Sequence, residues 1–220
     1  MDRRMLAQEY LILISDERGN LPAMYIESAK GGLIAASLMD MLLCDAIKME
    51  KKKIAVSGSL PDDAEPAASL YEYISEKTPG TFKVSVDYLL SANKRFNRLM
   101  EDIGESLIKQ GNAEKAKGGF LGNKDVYIPE PVYKENLVNS LKEAAASEDL
   151  SSHDTYLFLL LKETRMLHRY FTSEESAEIK RKLSGIKQKP NNRQLMEIMD
   201  FVDNIIFLVL CLIVFGAVLV

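Results

Sequence analysis

A short basic segment, Lys94-Arg-Phe-Asn-Arg98, holds the side chains best suited to bind an anion. Arg95 and Arg98 are three residues apart, so they share one face if the segment is helical. Guanidinium groups bind phosphate oxygens bidentately, and this pair therefore suits a ligand that carries a phosphate. The alternative is a solvated helix face whose arginines pair with Glu101 or Asp102.

Residues that commonly perform catalysis or bind metals are few and badly spaced. The two histidines, His153 and His168, are too far apart along the chain for a compact site, and Cys44 and Cys211 are distant from both, so no zinc site is expected. The chain has no glycine-rich phosphate loop and no Gly-x-Ser-x-Gly nucleophile elbow. We therefore expect no metal, no cofactor and no enzymatic activity.

The composition is that of a globular and slightly acidic protein. The chain has 220 residues, 47% of them hydrophobic, and a net charge of −4. This length predicts a single domain over residues 1–220. A negative net charge, together with the absence of a basic recognition helix, argues against a nucleic-acid partner. Two cysteines exclude a disulfide scaffold and favour a reducing, intracellular compartment.

Helical periodicity dominates the sequence, and we predict a mainly α fold with one protruding β-hairpin. A long helix is expected from Tyr25 to Met49, and its Gly31-Gly32 pair should let another element approach closely. The other predicted helices are Pro61–Lys77, Phe82–Leu90, Lys94–Gln110, Pro131–Ala146, His153–Phe171 and one that begins at Ser173. Arg4–Ser15 is expected to be either a short helix or a buried apolar segment. A short strand is expected at Ile54–Ser57, Gly111 should cap a helix, and Gly118–Pro129 should form the hairpin.

Two features near the C-terminus raise the question of a membrane. Ile205–Val220 carries no charge, and its length lies between that of a core helix and that of a transmembrane span. It is either the end of a buried apolar helix over about 194–220 or a C-terminal anchor. Lys180–Arg193 holds six basic residues, which either attract anionic headgroups or form a solvated helix end and linker.

Five segments match, in order, the pattern of a known family. They are the apolar run and turn Glu9–Asn20, the helix Gly32–Leu43 before the basic strand Lys51–Val56, the helix start Pro61-Asp-Asp63, Leu107–Gly111 before the hairpin, and the leucine-rich Asp154–Leu161. In these segments the chain resembles the Golgi phosphoprotein 3 family, whose prokaryotic members are single domains. The resemblance implies a mostly helical domain with a β-hairpin, closed by a buried apolar C-terminal helix.

The resemblance also implies a non-enzymatic, peripheral membrane protein. Eukaryotic members bind phosphatidylinositol 4-phosphate on Golgi membranes and act as adaptors in trafficking, and their hairpin contributes to self-association and membrane contact. The family's tryptophan before the first long helix corresponds to Tyr25, an arginine nine residues later to Ile34, and paired arginines before the hairpin to Arg95 and Arg98. Because isoleucine cannot bind phosphate, a generic preference for anionic lipids is expected.

The leading hypothesis is a cytoplasmic, peripheral protein that binds anionic phospholipid headgroups. Its expected headgroup-binding residues are Tyr25, Lys94, Arg95 and Arg98, and its expected membrane-contact residues are Phe120 and Leu121. The Lys180–Arg193 cluster is a second expected contact with the membrane surface. One alternative is a protein anchored by Ile205–Val220. The other is an interaction module that forms homo-oligomers through the hairpin at 118–128 and binds no lipid.

Overall fold

The predicted mainly α fold is confirmed for the part of the chain that the structure describes. The computed structural model describes residues 5–50, 53–76, 80–81, 93–119, 122–187, 196–197, 200 and 202–204. Its helices are α1 (Leu6–Ile14), α2 (Ile26–Leu43), α3 (Ala68–Glu76), α4 (Asn93–Lys109), α5 (Pro131–Ala146), α6 (Ser152–Glu163) and α7 (Ser173–Lys187). Short 3-10 helices cover Ala23–Tyr25, Asp62–Ala67 and Leu167–Arg169, and the strands are β1 (Ile47–Glu50), β2 (Lys53–Val56), β3 (Gly80–Thr81), β4 (Ala113–Gly118) and β5 (Lys124–Pro129).

The short helix α1 lies at the centre of the core. All nine of its residues are buried, and α2, α4, α5 and α6 pack around it. A helix that is buried on every side needs such complete cover from its neighbours. The glycine pair of α2 provides part of it: a Cβ built on Gly32 would lie 2.5 Å from Cζ of Tyr10, so only glycine admits the tyrosine ring there.

Both ends of α1 are capped by side chains from distant elements. At the first turn, the Asp40 carboxylate of α2 accepts hydrogen bonds from the backbone N–H groups of Leu6 and Ala7, each at 2.9 Å. At the other end, the Tyr170 hydroxyl donates to the Leu13 carbonyl, and Lys134 Nζ donates to the Ser15 carbonyl at 2.6 Å. These partners satisfy backbone groups that a helix buried at both ends cannot leave unpaired.

Helix α2 ends earlier than the sequence indicates. The expected continuation to Met49 is wrong, because Asp45 adopts a left-handed conformation (φ 57°) and the chain then enters β1. β1 pairs antiparallel with the predicted strand β2, with Ile47 opposite Val56, and β2 pairs with β3. The single helix expected over His153–Phe171 is also wrong, since α6 ends at Glu163 and Arg165 has φ 61°.

The predicted hairpin is present, and it begins earlier than expected. β4 pairs with β5 in antiparallel register from Ala113 opposite Pro129 to Gly118 opposite Lys124. Tyr127 of β5 is buried against Gly104 of α4, where a side chain would collide with its ring. Gly111, with φ 73°, ends α4 as predicted, and the Asn20 amide oxygen accepts a hydrogen bond from the Gly119 N–H at 3.3 Å. The hairpin is therefore held by α4 at Tyr127 and by the loop residue Asn20 near its turn.

Candidate functional site

The two arginines singled out in the sequence lie on the side of α4 that faces α3. The Arg95 guanidinium stacks over the Tyr73 ring, 4.5 Å from its centroid, and Arg98 forms an exposed ion pair with Glu72 at 3.5 Å. Glu72 and Tyr73 are neighbours on α3, so the predicted shared face is confirmed. The alternative partners Glu101 and Asp102 lie elsewhere: Asp102 accepts a hydrogen bond from the Ser69 N–H at 3.1 Å, and Glu101 lies 4.0 Å from Lys115.

A lysine that the sequence analysis missed connects these arginines to Tyr25. Lys30 Nζ of α2 lies 5.7 Å from the centroid of the Phe96 ring, which belongs to the residue next to Arg95. Lys30 also lies one helical turn after Ile26, on the same face of α2. The Lys30–Phe96 contact thus joins the start of α2 and the segment of α4 that holds the arginines into one region. We call it the entry surface and define it by Met24, Tyr25, Ile26, Lys30, Arg95 and Arg98. No sequence signal identifies Lys30, since its neighbour Phe96 is remote in the chain.

Tyr25 precedes α2 and is half-buried. Its ring contacts that of His168 in a tilted arrangement, with centroids 6.0 Å apart, and it also packs against the core. Tyr25 is the N-cap residue of α2 and provides no side-chain hydrogen bond to the N–H groups of the first turn. The first turn of a helix carries a partial positive charge, which adds to that of the nearby cations.

Besides Glu72, the entry surface meets a second acidic group, and it carries two exposed apolar side chains. Glu27 accepts a hydrogen bond from Lys30 at 2.8 Å and partly offsets its charge. Met24 is 85% exposed and Ile26 is 39% exposed, on either side of Tyr25. The surface therefore combines cations with exposed apolar groups, which suits an amphiphilic anion better than a small inorganic one.

The other residues predicted for the site are placed differently or not at all. Ile34, at the position of the family's arginine, is completely buried in the core and cannot meet a ligand. Lys94 lies in the first turn of α4, and its side chain lies outside the described part of the structure. Phe120, Leu121 and the apolar segment Ile205–Val220 also lie outside the described residues, so their roles stay predictions.

The basic cluster of α7 is partly occupied by structural contacts. Lys182 donates to the carbonyl oxygens of Ala145 and Ser147, at 2.6 and 2.5 Å, and so caps the C-terminal end of α5. Arg181 pairs with Glu178 of the same helix at 2.6 Å. Lys180 is exposed. Of these three cations, two already serve the fold.

A cleft of about 750 Å³ lies at the C-terminal end of α1. Its cations are Arg18, Lys134 and Arg169, and its acids are Asp16, Glu17 and Glu135. Lys134 and Arg169 both donate to the last carbonyl groups of the α1 segment, and burial lowers the pKa of Lys134. Because these groups cap α1 and face three carboxylates, the cleft is a structural site rather than an anion site.

Two further properties concern the described residues as a whole. None of their histidine, cysteine, aspartate and glutamate side chains form a group of three or more that could hold a metal ion. No helix among them has both the length and the hydropathy required to span a bilayer.

Comparison with known proteins identifies one family. A family model described as Golgi phosphoprotein 3 (GPP34) matches residues 6–200. This range contains helices α1 to α7, the hairpin and the whole entry surface. No curated protein matches the chain.

Proposed function

Because this chain belongs to the Golgi phosphoprotein 3 family, we propose that it is a non-catalytic peripheral membrane protein that binds anionic phospholipid headgroups through its entry surface. The observation that carries the proposal is the contact of Lys30 with Phe96, which brings a cation of α2 to the segment of α4 that holds Arg95 and Arg98. Family membership supports a lipid-binding or adaptor role, and the entry surface is the region whose residues suit such a role.

The chemistry of each cation suits a phosphate headgroup. Stacking on Tyr73 uses the face of the Arg95 guanidinium, while its N–H groups lie in the plane that phosphate oxygens approach. Arg98 is paired with Glu72 in an exposed ion pair, and a phosphate can replace that carboxylate at little cost, since such pairs contribute less than about 1 kcal/mol. Lys30 is paired with Glu27, and the Lys30 side chain is 18% exposed. A basic residue close to an anionic bilayer contributes about 1 kcal/mol.

Vesicle flotation with the full chain tests the proposal. The protein would be mixed with phosphatidylcholine vesicles that contain no anionic lipid, phosphatidylserine or phosphatidylinositol 4-phosphate. Each mixture would be measured at low, physiological (about 0.15 M) and high (about 1 M) salt. We expect flotation with both anionic compositions, little with phosphatidylcholine alone, and release at high salt.

Each other result has a defined meaning. Failure to float with any anionic vesicle at low salt would overturn the proposal. Flotation that resists high salt and does not depend on headgroup charge would indicate an inserted anchor, as hypothesised for Ile205–Val220, instead of a peripheral contact. A preference for phosphatidylinositol 4-phosphate over an equal charge of phosphatidylserine would indicate specific headgroup recognition.

Replacing Glu27 with glutamine should tighten binding to anionic vesicles. The change removes the carboxylate that partly neutralises Lys30 on the entry surface. We expect about fivefold tighter binding at low salt, which corresponds to roughly 1 kcal/mol for one charge near the bilayer. The gain should shrink at physiological salt and vanish on neutral vesicles. Flotation titrations measure the change.

Glu178→Gln is the matched control for this prediction. Glu178 pairs with Arg181 three residues later on α7, just as Glu27 pairs with Lys30 on α2, and the two carboxylate side chains are equally exposed at 43% and 42%. The two variants therefore change net charge and helix pairing alike. If Glu178→Gln tightens binding and Glu27→Gln does not, the membrane contacts the α7 cluster and the entry surface is the wrong assignment.

A further inference from the structure

The exposed apolar side chains of the entry surface are concentrated around one rigid turn. Among the described residues, the exposed large hydrophobic side chains are Met24, Ile26 and Val132, and the first two flank Tyr25. The 3-10 turn that carries Met24 is closed by a hydrogen bond of 3.0 Å from the Tyr25 N–H to the Pro22 carbonyl. Leu21 and Tyr25 pack against the core on either side of the turn. Met24 is therefore held outward, at 85% exposure, on a fixed base.

From this geometry we infer that Met24, assisted by Ile26, inserts into the apolar edge of the bilayer when the entry surface meets an anionic membrane. The inference deepens the proposed function and rests on it. The proposed function concerns the charges that attract the headgroups. The inference adds two apolar side chains, Met24 and Ile26, that enter the bilayer below the headgroups. A methionine side chain is flexible and apolar, so it can fill an irregular space among acyl chains.

The groups around Met24 and Ile26 fit a membrane better than a protein partner. Lys30 is on the face of α2 that carries Ile26, Arg95 is next to the Phe96 ring that Lys30 covers, and the first turn of α2 lacks a side-chain cap. These positive groups complement the negative surface of an anionic bilayer. A stable protein interface needs about 800 Å² on each side, far more than two side chains supply, whereas a few inserted apolar groups assisted by cations can hold a peripheral protein on a membrane.

A single tryptophan can report the insertion directly, because the chain contains none. Met24→Trp would be titrated with phosphatidylcholine vesicles that contain phosphatidylserine, and with the same vesicles made from lipids brominated along the acyl chains. We expect a blue shift of the emission on binding and strong quenching by the brominated lipids. Val132→Trp is the matched control, since Val132 is also apolar and 62% exposed but lies on the first turn of α5. Its emission should change little.

A second pair of variants separates insertion from a change in fluorescence alone. Met24→Ser should weaken binding to anionic vesicles about tenfold, as expected for losing most of the transfer free energy of one large apolar side chain. Met24→Leu should bind within about twofold of the original chain, because it keeps the apolar volume. The Met24→Ser loss should persist at physiological salt, since salt screens charges and not apolar transfer.

The outcomes distinguish the inference from the function on which it rests. If the chain floats with anionic vesicles but Met24→Trp is neither shifted nor quenched and Met24→Ser binds normally, the inference is overturned and the proposed function stands. If the chain does not bind anionic vesicles at all, both are overturned. Equal quenching of Met24→Trp and Val132→Trp would also contradict the inference, because it would show that the bilayer contacts both positions alike.

Discussion

Replacing Asp40 with alanine is expected to lower the free energy of unfolding by about 3 kcal/mol, a large part of the stability of an ordinary domain. Asp40 is 1% exposed, and its carboxylate accepts the Leu6 and Ala7 N–H groups at 2.9 Å each. Alanine leaves both donors buried without this acceptor, and each such loss costs about 1–3 kcal/mol. It also removes a negative charge from the N-terminal end of α1, where the helix dipole favours one. Urea unfolding followed by circular dichroism would measure the loss.

Two companion variants show whether the loss comes from the cap. Asp40→Asn keeps one acceptor oxygen without the charge, so we expect about half of the loss. Asp63→Ala removes an exposed aspartate of a 3-10 helix and should change the free energy of unfolding by less than about 0.5 kcal/mol. A loss below about 1 kcal/mol for Asp40→Ala, with an unchanged denaturant slope, would show that α1 does not depend on this contact.

The ends of the helices show what the sequence could predict about the fold. α2, α4 and α6 end in the same hydrogen-bond pattern, for example Ala46 N–H to the Met41 carbonyl at 3.0 Å and Asn112 N–H to the Leu107 carbonyl at 2.8 Å. The pattern requires a left-handed residue just after the helix, usually glycine. In α4 that residue is Gly111, and the end was predicted. In α2 and α6 it is Asp45 and Arg165, which carry no such signal, and there both predicted helices ran too far.

The buried helix α1 shows a second limit of sequence reasoning. The apolar run of Leu11–Ile14 predicts burial, but Gln8 and Glu9 in the preceding turn are buried too. Gln8 donates to the Ser106 hydroxyl at 2.8 Å, and the Glu9 carboxylate lies 2.6 Å from His153 Nε2. These partners are 98 and 144 residues away in the chain, and hydropathy alone cannot find them. His153 is thus a partner of a buried carboxylate.

The sequence predicted Tyr25, Arg95 and Arg98 as residues of the candidate site but not their arrangement. Local spacing was enough to place Arg95 and Arg98 on one face, because helical geometry fixes neighbours three residues apart. The link to Tyr25 depends on Lys30 reaching Phe96, which only the packing of α2 against α4 brings together. The exposure of Met24 also follows from tertiary structure, because the neighbouring residues Leu21 and Tyr25 are the ones that pack against the core.

The double variant Arg95→Glu/Arg98→Glu is expected to weaken binding to anionic vesicles about 100-fold or more at low salt. Each reversal removes an attraction of about 1 kcal/mol and adds a repulsion of similar size. Part of the Arg98 contribution is offset by its pair with Glu72, so the total falls short of the full sum. The loss should be smaller at physiological salt, because exposed charges are screened. Flotation titrations measure the affinity, and urea unfolding checks that the loss of Arg95 stacking on Tyr73 leaves the chain folded.

Lys109→Glu/Lys142→Glu makes the same change in net charge away from the entry surface. Lys109 is an unusually close match for Arg98: it lies at the other end of α4, is 65% exposed against 64%, and pairs with Glu65 at 3.1 Å. We expect this control to bind anionic vesicles nearly as well as the original chain, because membrane attraction depends on where the charges face and falls off within a Debye length. Equal losses in the two double variants would mean that only net charge matters. A loss confined to Lys180→Glu/Arg181→Glu would instead assign the contact to α7, where the arginine–glutamate pair would then have to open at the membrane.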